Sequence, residues 1–102
     1  MAINYNIHTD LELDDLRQRM DAHARDVDGL WELWRVSDDL GLFHKEIMEE
    51  YGIDEGFKTY AWTRHSKDQS VAALAKLMDF YHSLPGRKLV RKDDSFVDYQ
   101  EG

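Results

Sequence analysis

Leu30-Trp31-Glu32-Leu33-Trp34-Arg35-Val36 is the stretch on which the fold turns. With helical spacing, it prolongs an apolar seam through Leu13, Leu16, Met20, His23, Val27, Leu30 and Trp34, and the chain becomes a mostly α-helical bundle. As a run of strand formers behind the turn signal Asp28-Gly29, it becomes a strand and the chain becomes α+β. The turn signal tips the reading toward the strand.

Upstream, Ala2 to His8 alternates Ile3, Tyr5 and Ile7 with Ala2, Asn4 and Asn6, a period of two that predicts a strand. Thr9 with Glu12 three residues on has the form of a capping box. It opens an amphipathic helix from about Asp10 to about Asp26, with Leu13, Leu16, Met20, Ala24 and Val27 inward. Asp10, Glu12, Asp14 and Asp15 load its first turns with the charge the helix dipole favours. Asp15 with Arg19, and Asp21 with Arg25, are i,i+4 pairs in the favourable order.

Downstream, Ser37 is read as the cap of a second helix with Asp38 and Asp39 in its first turn and Leu40, Phe43, Ile47 and Tyr51 as its stripe. Gly52 suits the left-handed residue that ends it, with Ile53 folding back on Met48. Phe57 to Arg64 has strand composition, with Tyr60 and Trp62 on one face and Phe57 on the other. Ser66 and Gln69 form a second capping box before a helix over Lys67 to Leu84, with Val71, Leu74, Ala75, Met78 and Tyr81/His82 inward. Pro85-Gly86 ends it, and Lys88–Lys92 and Ser95–Tyr99 pair as a hairpin. The expected architecture is α+β: a single small domain over 1–102, with about three amphipathic helices packed on a short sheet. The competing architecture is the helical bundle, with 30–36 and 57–64 both helical.

Charge carries the functional reading. The chain of 102 residues has 21 acids against 13 bases, a net charge of −8. Residues 1–51 hold 13 of the acids and only 5 of the bases, while the remainder is neutral. Such an excess disfavours direct nucleic-acid binding and favours a protein partner with a basic surface. Solubility is the ordinary alternative explanation, since small domains commonly carry a net charge of about 2–8 in magnitude. Asp10, Asp14, Asp21, Asp28, Glu46, Glu49 and Glu50 are the candidate partner-binding residues, because carboxylates one helical turn apart repeat roughly as phosphates do along a strand. By analogy of class, the expected function is a non-catalytic acidic binding module. It would act as a nucleic-acid mimic that inhibits a nuclease or a CRISPR effector by docking on its basic surface.

The alternative is a helix-based metal-dependent hydrolase or nucleotide pyrophosphatase. His23 with Asp26, and Asp79 with His82, have the i,i+3 spacing that puts two ligands on one helix face. Glu46, Glu49 and Glu50, matched by Glu12 and Asp15, offer an oxygen-rich magnesium set. Acids are frequent enough here that such pairs arise by chance, so no cofactor is expected. Arg17 six residues before His23 has the spacing of a phosphate-binding and proton-moving pair, and His44 to His65 has the outline of a helix-turn-helix. Arg87, Lys88, Arg91 and Lys92 read as a basic patch or, more economically, as charges guarding an edge strand. Phe57, Tyr60, Trp62, Trp31 and Trp34 serve as interface anchors or, more simply, fill the core.

The absence of cysteine removes disulfides and thiolate zinc sites. The sparse glycines and the lack of a G-x-S-x-G element remove a phosphate cradle and a nucleophile elbow. No apolar run is long enough to cross a membrane and no secretory signal is visible, so a cytoplasmic location is expected.

Overall fold

The computed structural model describes residues 2–27, 31–39, 46, 49, 50, 52, 57–92 and 95–100. Its elements are β1 (Ala2–Thr9), α1 (Leu13–Asp26), β2 (Leu33–Ser37), β3 (Thr59–Ser66), a 3-10 turn (Lys67–Gln69), α2 (Ser70–Ser83), β4 (Lys88–Lys92) and β5 (Ser95–Gln100). The class is α+β, and both contested stretches contribute strands, so the bundle is set aside. The five strands expected from the sequence form one antiparallel sheet in the order β2-β3-β1-β4-β5. Two α-helices rather than about three lie among the described residues. The helix expected over 38–51 falls largely outside them, and its expected first-turn residues Asp38 and Asp39 are not helical. Within it Glu46, Glu49 and Glu50 are helical, and Gly52 has φ +70° and donates its N–H to the Glu49 carbonyl at 3.0 Å. That matches the left-handed terminator expected there. Ser37 Oγ accepts the Asp39 N–H at 3.1 Å, as a cap would, although the residue also closes β2.

β1 occupies the centre because its two faces suit two layers. Tyr5 and Ile7 join Ala61, Val90, Leu16, Met20, Leu77, Phe80 and Tyr81 in the main core beneath the helices. The opposite face carries Asn6 and His8, both buried, and the smaller cluster of Phe57, Leu89 and Tyr99. α1 ends where the turn signal placed it: Val27 donates to the His23 carbonyl at 3.1 Å and closes the last turn.

Both capping boxes are corrected, for one reason. Thr9 and Ser66 remain strand residues, paired with Thr59 and Ala2 respectively. The Thr9 hydroxyl lies 2.6 Å from that of Thr59, and its carbonyl accepts the Lys58 N–H at 2.8 Å. α1 therefore starts at Leu13, with Glu12 as its N-terminal flank and no side-chain cap. Asp10 and Glu12 lie outside the helix, and the Glu12 carboxylate accepts from Lys58 Nζ at 2.9 Å rather than reaching back to Thr9. The Thr9 hydroxyl instead accepts the Leu11 N–H at 3.3 Å, two residues before the helix starts.

The inward face of α2 is also corrected. Ala73, Leu77, Phe80, Tyr81 and Leu84 are buried and Leu74 and Met78 half-buried, whereas Val71 is 85% exposed and Ala75 and His82 are exposed. The 3-10 turn over Lys67–Gln69 delays α2 and rotates its seam relative to one started at Lys67.

Candidate functional site

Four side chains on each helix face one another across a cleft of about 380 Å³. α1 contributes Arg19, Ala22, His23 and Asp26; α2 contributes Lys76, Asp79, Phe80 and Ser83. Both quartets follow i, i+3, i+4, i+7 spacing, so each is one stripe of its helix. The floor is aromatic: the His23 ring stacks on Phe80 with centroids 4.7 Å apart and planes at 25°, and Trp31 packs beside His23 at 5.9 Å. His23 Nε2 is buried without a hydrogen-bond partner among the described residues. Burial holds the His23 pKa below its ordinary value of 6.5, helped by Lys76 and opposed by Asp26 and Asp79.

The fold thus brings His23, Asp26 and Asp79 together as the spacing predicted, but not His82. That residue is exposed and packs edge-on against Tyr81 at 5.3 Å. Among the described residues no three His, Asp or Glu side chains are placed to hold a metal ion. Of the acids proposed to complete a magnesium set with the Glu46 group, Glu12 pairs with Lys58 and Asp15 with Arg19, each at 2.9 and 2.8 Å respectively. Arg17 does not line the cleft and lies 3.7 Å from Asp14. β3 occupies the place of the second helix of a helix-turn-helix.

The seven candidate partner-binding acids fall into distinct environments. Asp10 is half-buried and its carboxylate accepts the Arg87 N–H at 3.3 Å. Asp14 sits 3.7 Å from Arg17, and Asp21 accepts from Arg25 at 2.8 Å. The predicted Asp15–Arg19 pair also forms, at 2.8 Å. Asp28 lies outside the described residues. Glu46, Glu49 and Glu50 are exposed on one helical segment and make no ion pair with the described residues.

The basic cluster is not a patch. β4 is an inner strand, so its cations guard no edge. Lys88 is 4% exposed and donates Nζ to the Tyr81 and Leu84 carbonyls at the end of α2, at 2.8 and 2.7 Å. Arg91 is 2% exposed and donates Nε to His8 Nε2 at 3.0 Å. Arg87 is half-buried, lies 4.9 Å above the Phe57 ring and donates to the Tyr99 hydroxyl at 2.8 Å. Only Lys92 is exposed. Nothing in the residue types announced this: three of the five residues of β4 are basic, and the two that are buried differ in kind from Lys92 only by their place in the sheet.

The aromatics divide. Trp31, Phe57 and Tyr60 are buried, while Leu33 and Trp34 are exposed on edge strand β2. Phe57 precedes β3 and therefore escapes its alternation: its ring reaches His8, which Tyr60 also contacts. The two share a face, contrary to expectation. Arg35 lies 5.4 Å over the Trp62 ring on the same edge of the sheet.

The family model described as CDI System Immunity Component matches residues 1–92. A chain of the CdiA-CT/CdiI toxin and immunity complex from Burkholderia pseudomallei has a similar fold, with a TM-score of 0.67 at 16% identity over 92% of this chain and 94% of that one. No curated protein matches.

Proposed function

From the premise that the chain belongs to the CDI System Immunity Component family, we propose that it is a protein-binding inhibitor that docks its acidic surface on a basic surface of a toxin. The similar fold found in a toxin and immunity complex supports a protein partner. The observation that carries the charge argument is the exposed trio Glu46, Glu49 and Glu50, in the half of the chain that holds the whole excess of carboxylates. Most of the α1 acids are tethered to neighbouring guanidinium groups, so the trio leads and Asp14, Asp21 and Asp28 assist at longer range. A basic surface that normally holds nucleic acid, as on a nuclease, is the surface such a trio complements. No helix among the described residues is long and apolar enough to cross a membrane.

The test is capture of the cognate toxin domain by the wild-type protein and by the Glu46→Lys/Glu49→Lys/Glu50→Lys variant, at low and high salt. Binding that weakens with salt, and association at least about tenfold slower in the variant with an unchanged melting temperature, is the expected result. Equal capture by the variant overturns the assignment of the surface.

A further inference from the structure

The cleft between α1 and α2 combines an aromatic floor with two carboxylates and two cations on its rim. Its floor is an aromatic stack, His23 on Phe80. Two of its carboxylates, Asp26 and Asp79, rise one from each helix, are exposed and make no ion pair with the described residues. Of the two cations on its rim, Arg19 is already held by Asp15 at 2.8 Å. Lys76 lies beyond salt-bridge distance of either acid, so the uncommitted groups sum to negative. His23 Nε2 adds a buried polar atom with no partner among the described residues.

We propose that this cleft is a socket for an arginine side chain of the protein partner, whose guanidinium lies over the His23 and Phe80 rings and between Asp26 and Asp79. The identity of the partner as a toxin rests on the immunity reading; the chemistry of the socket does not. A planar guanidinium suits it better than an ammonium because it stacks on aromatic faces and forks toward carboxylates on two sides. This differs from the Glu46, Glu49 and Glu50 surface in kind. The glutamates attract at a distance, whereas the cleft would fix register through one buried anchor.

The test uses the intact protein and two small probes. Backbone and His23 ring resonances are followed by NMR during titration with ethylguanidinium chloride, with ethylammonium chloride and sodium chloride at matched ionic strength as controls. Saturable shifts confined to the cleft residues, at least fivefold weaker in Asp26→Asn/Asp79→Asn and weaker for ethylammonium, are expected. Shifts no larger than those with sodium chloride, or unchanged in the double variant, overturn the socket; equal binding of ethylammonium overturns the choice of arginine. Both acids are exposed, so the variant keeps its fold, checked by its melting temperature. The same variant then enters the toxin-capture assay, where a loss of at least tenfold is expected. If wild type captures toxin and the variant captures it equally, the partner's arginine is refuted while the immunity reading stands. If wild type captures no toxin, the immunity reading fails and the titration alone decides the socket.

Discussion

The Lys88 ammonium lies 2.7 Å from the Leu84 carbonyl and 2.8 Å from that of Tyr81, so a lysine from β4 closes the C-terminus of α2 from inside the protein. The cation supplies the Leu84 carbonyl with a donor, adds a second to the Tyr81 carbonyl beside the Leu84 N–H, and interacts favourably with the helix dipole. Burial pulls the Lys88 pKa down, and the Asp98 carboxylate opposes it. Lys88→Met is expected to cost about 2–3 kcal/mol, because two buried carbonyls lose a charged donor. Urea unfolding measures it; a loss below about 0.5 kcal/mol would mean that solvent replaces the ammonium.

Gly86 has φ +78°, and a Cβ built there would stand 2.5 Å from Asp10 Oδ1. The same Asp10 carboxylate accepts the Arg87 N–H through Oδ2 and cannot swing away freely. Gly86→Ala is expected to cost about 2 kcal/mol or more, from the left-handed backbone and the clash together. Adding Asp10→Ala should cost less on the Gly86→Ala background than on wild type, a coupling that a double-mutant cycle reads directly. Loss of partner capture on replacing Asp10 therefore has to be judged beside its effect on stability.

The rotated seam of α2 gives a contrast between two apolar residues of similar size. Leu77→Ala, at a fully buried position, is expected to lose about 2–5 kcal/mol. Val71→Ala, at a position 85% exposed, should change stability by no more than about 0.5 kcal/mol. Thermal or urea melts compare the two; the reverse order would restore the seam expected from Val71 and Ala75.

His65 is fully buried against Tyr5 and Trp31, and neither ring nitrogen has a hydrogen-bond partner among the described residues. Burial lowers its pKa from 6.5, helped by Lys92 and opposed by Glu32; burial does the same to His23. A histidine depressed in the folded state takes up protons later than in the unfolded chain. Stability is therefore at its plateau above about pH 6.5 and falls as pH drops below that value toward the folded pKa, by at most about 1.4 kcal/mol per pH unit for each ring. Urea unfolding between pH 7.5 and 5.5 is expected to show this decline, with a shallower slope in His65→Phe. An unchanged midpoint across that range would show that the rings titrate alike in both states.

The strands were the most legible part of the chain. Alternation placed β1, and β-branched and aromatic enrichment placed β3, because side chains in a two-layer sheet record their faces with period two. Asp15–Arg19 and Asp21–Arg25 were legible because i,i+4 contact depends on the helix alone. The starts of α1 and α2 were not: Thr9 and Ser66 have the same composition whether they cap a helix or end a strand, and their strand partners, Thr59 and Ala2, lie far away in sequence. Of the candidate site, spacing on each helix brought out His23, Asp26 and Asp79, but that the two helices face each other is a tertiary fact. It separates Asp79, which lines the cleft, from His82, which turns away. The burial of Lys88 and Arg91 escaped for a similar reason, since their acceptors on Tyr81, Leu84 and His8 become available only once β4 lies inside the sheet.

The placement of β1 at the middle of the sheet sets an order of assembly. β1 finds one neighbour about fifty residues later in the chain, as the Thr9–Thr59 contact records, and the other some eighty residues later, as His8–Arg91 records. Until both are made its hydrogen-bonding edges have no partner in the sheet, and such non-local pairing is slow to form. A nascent chain stopped before β4 would lack the cation that closes α2 and the strand that covers one side of β1.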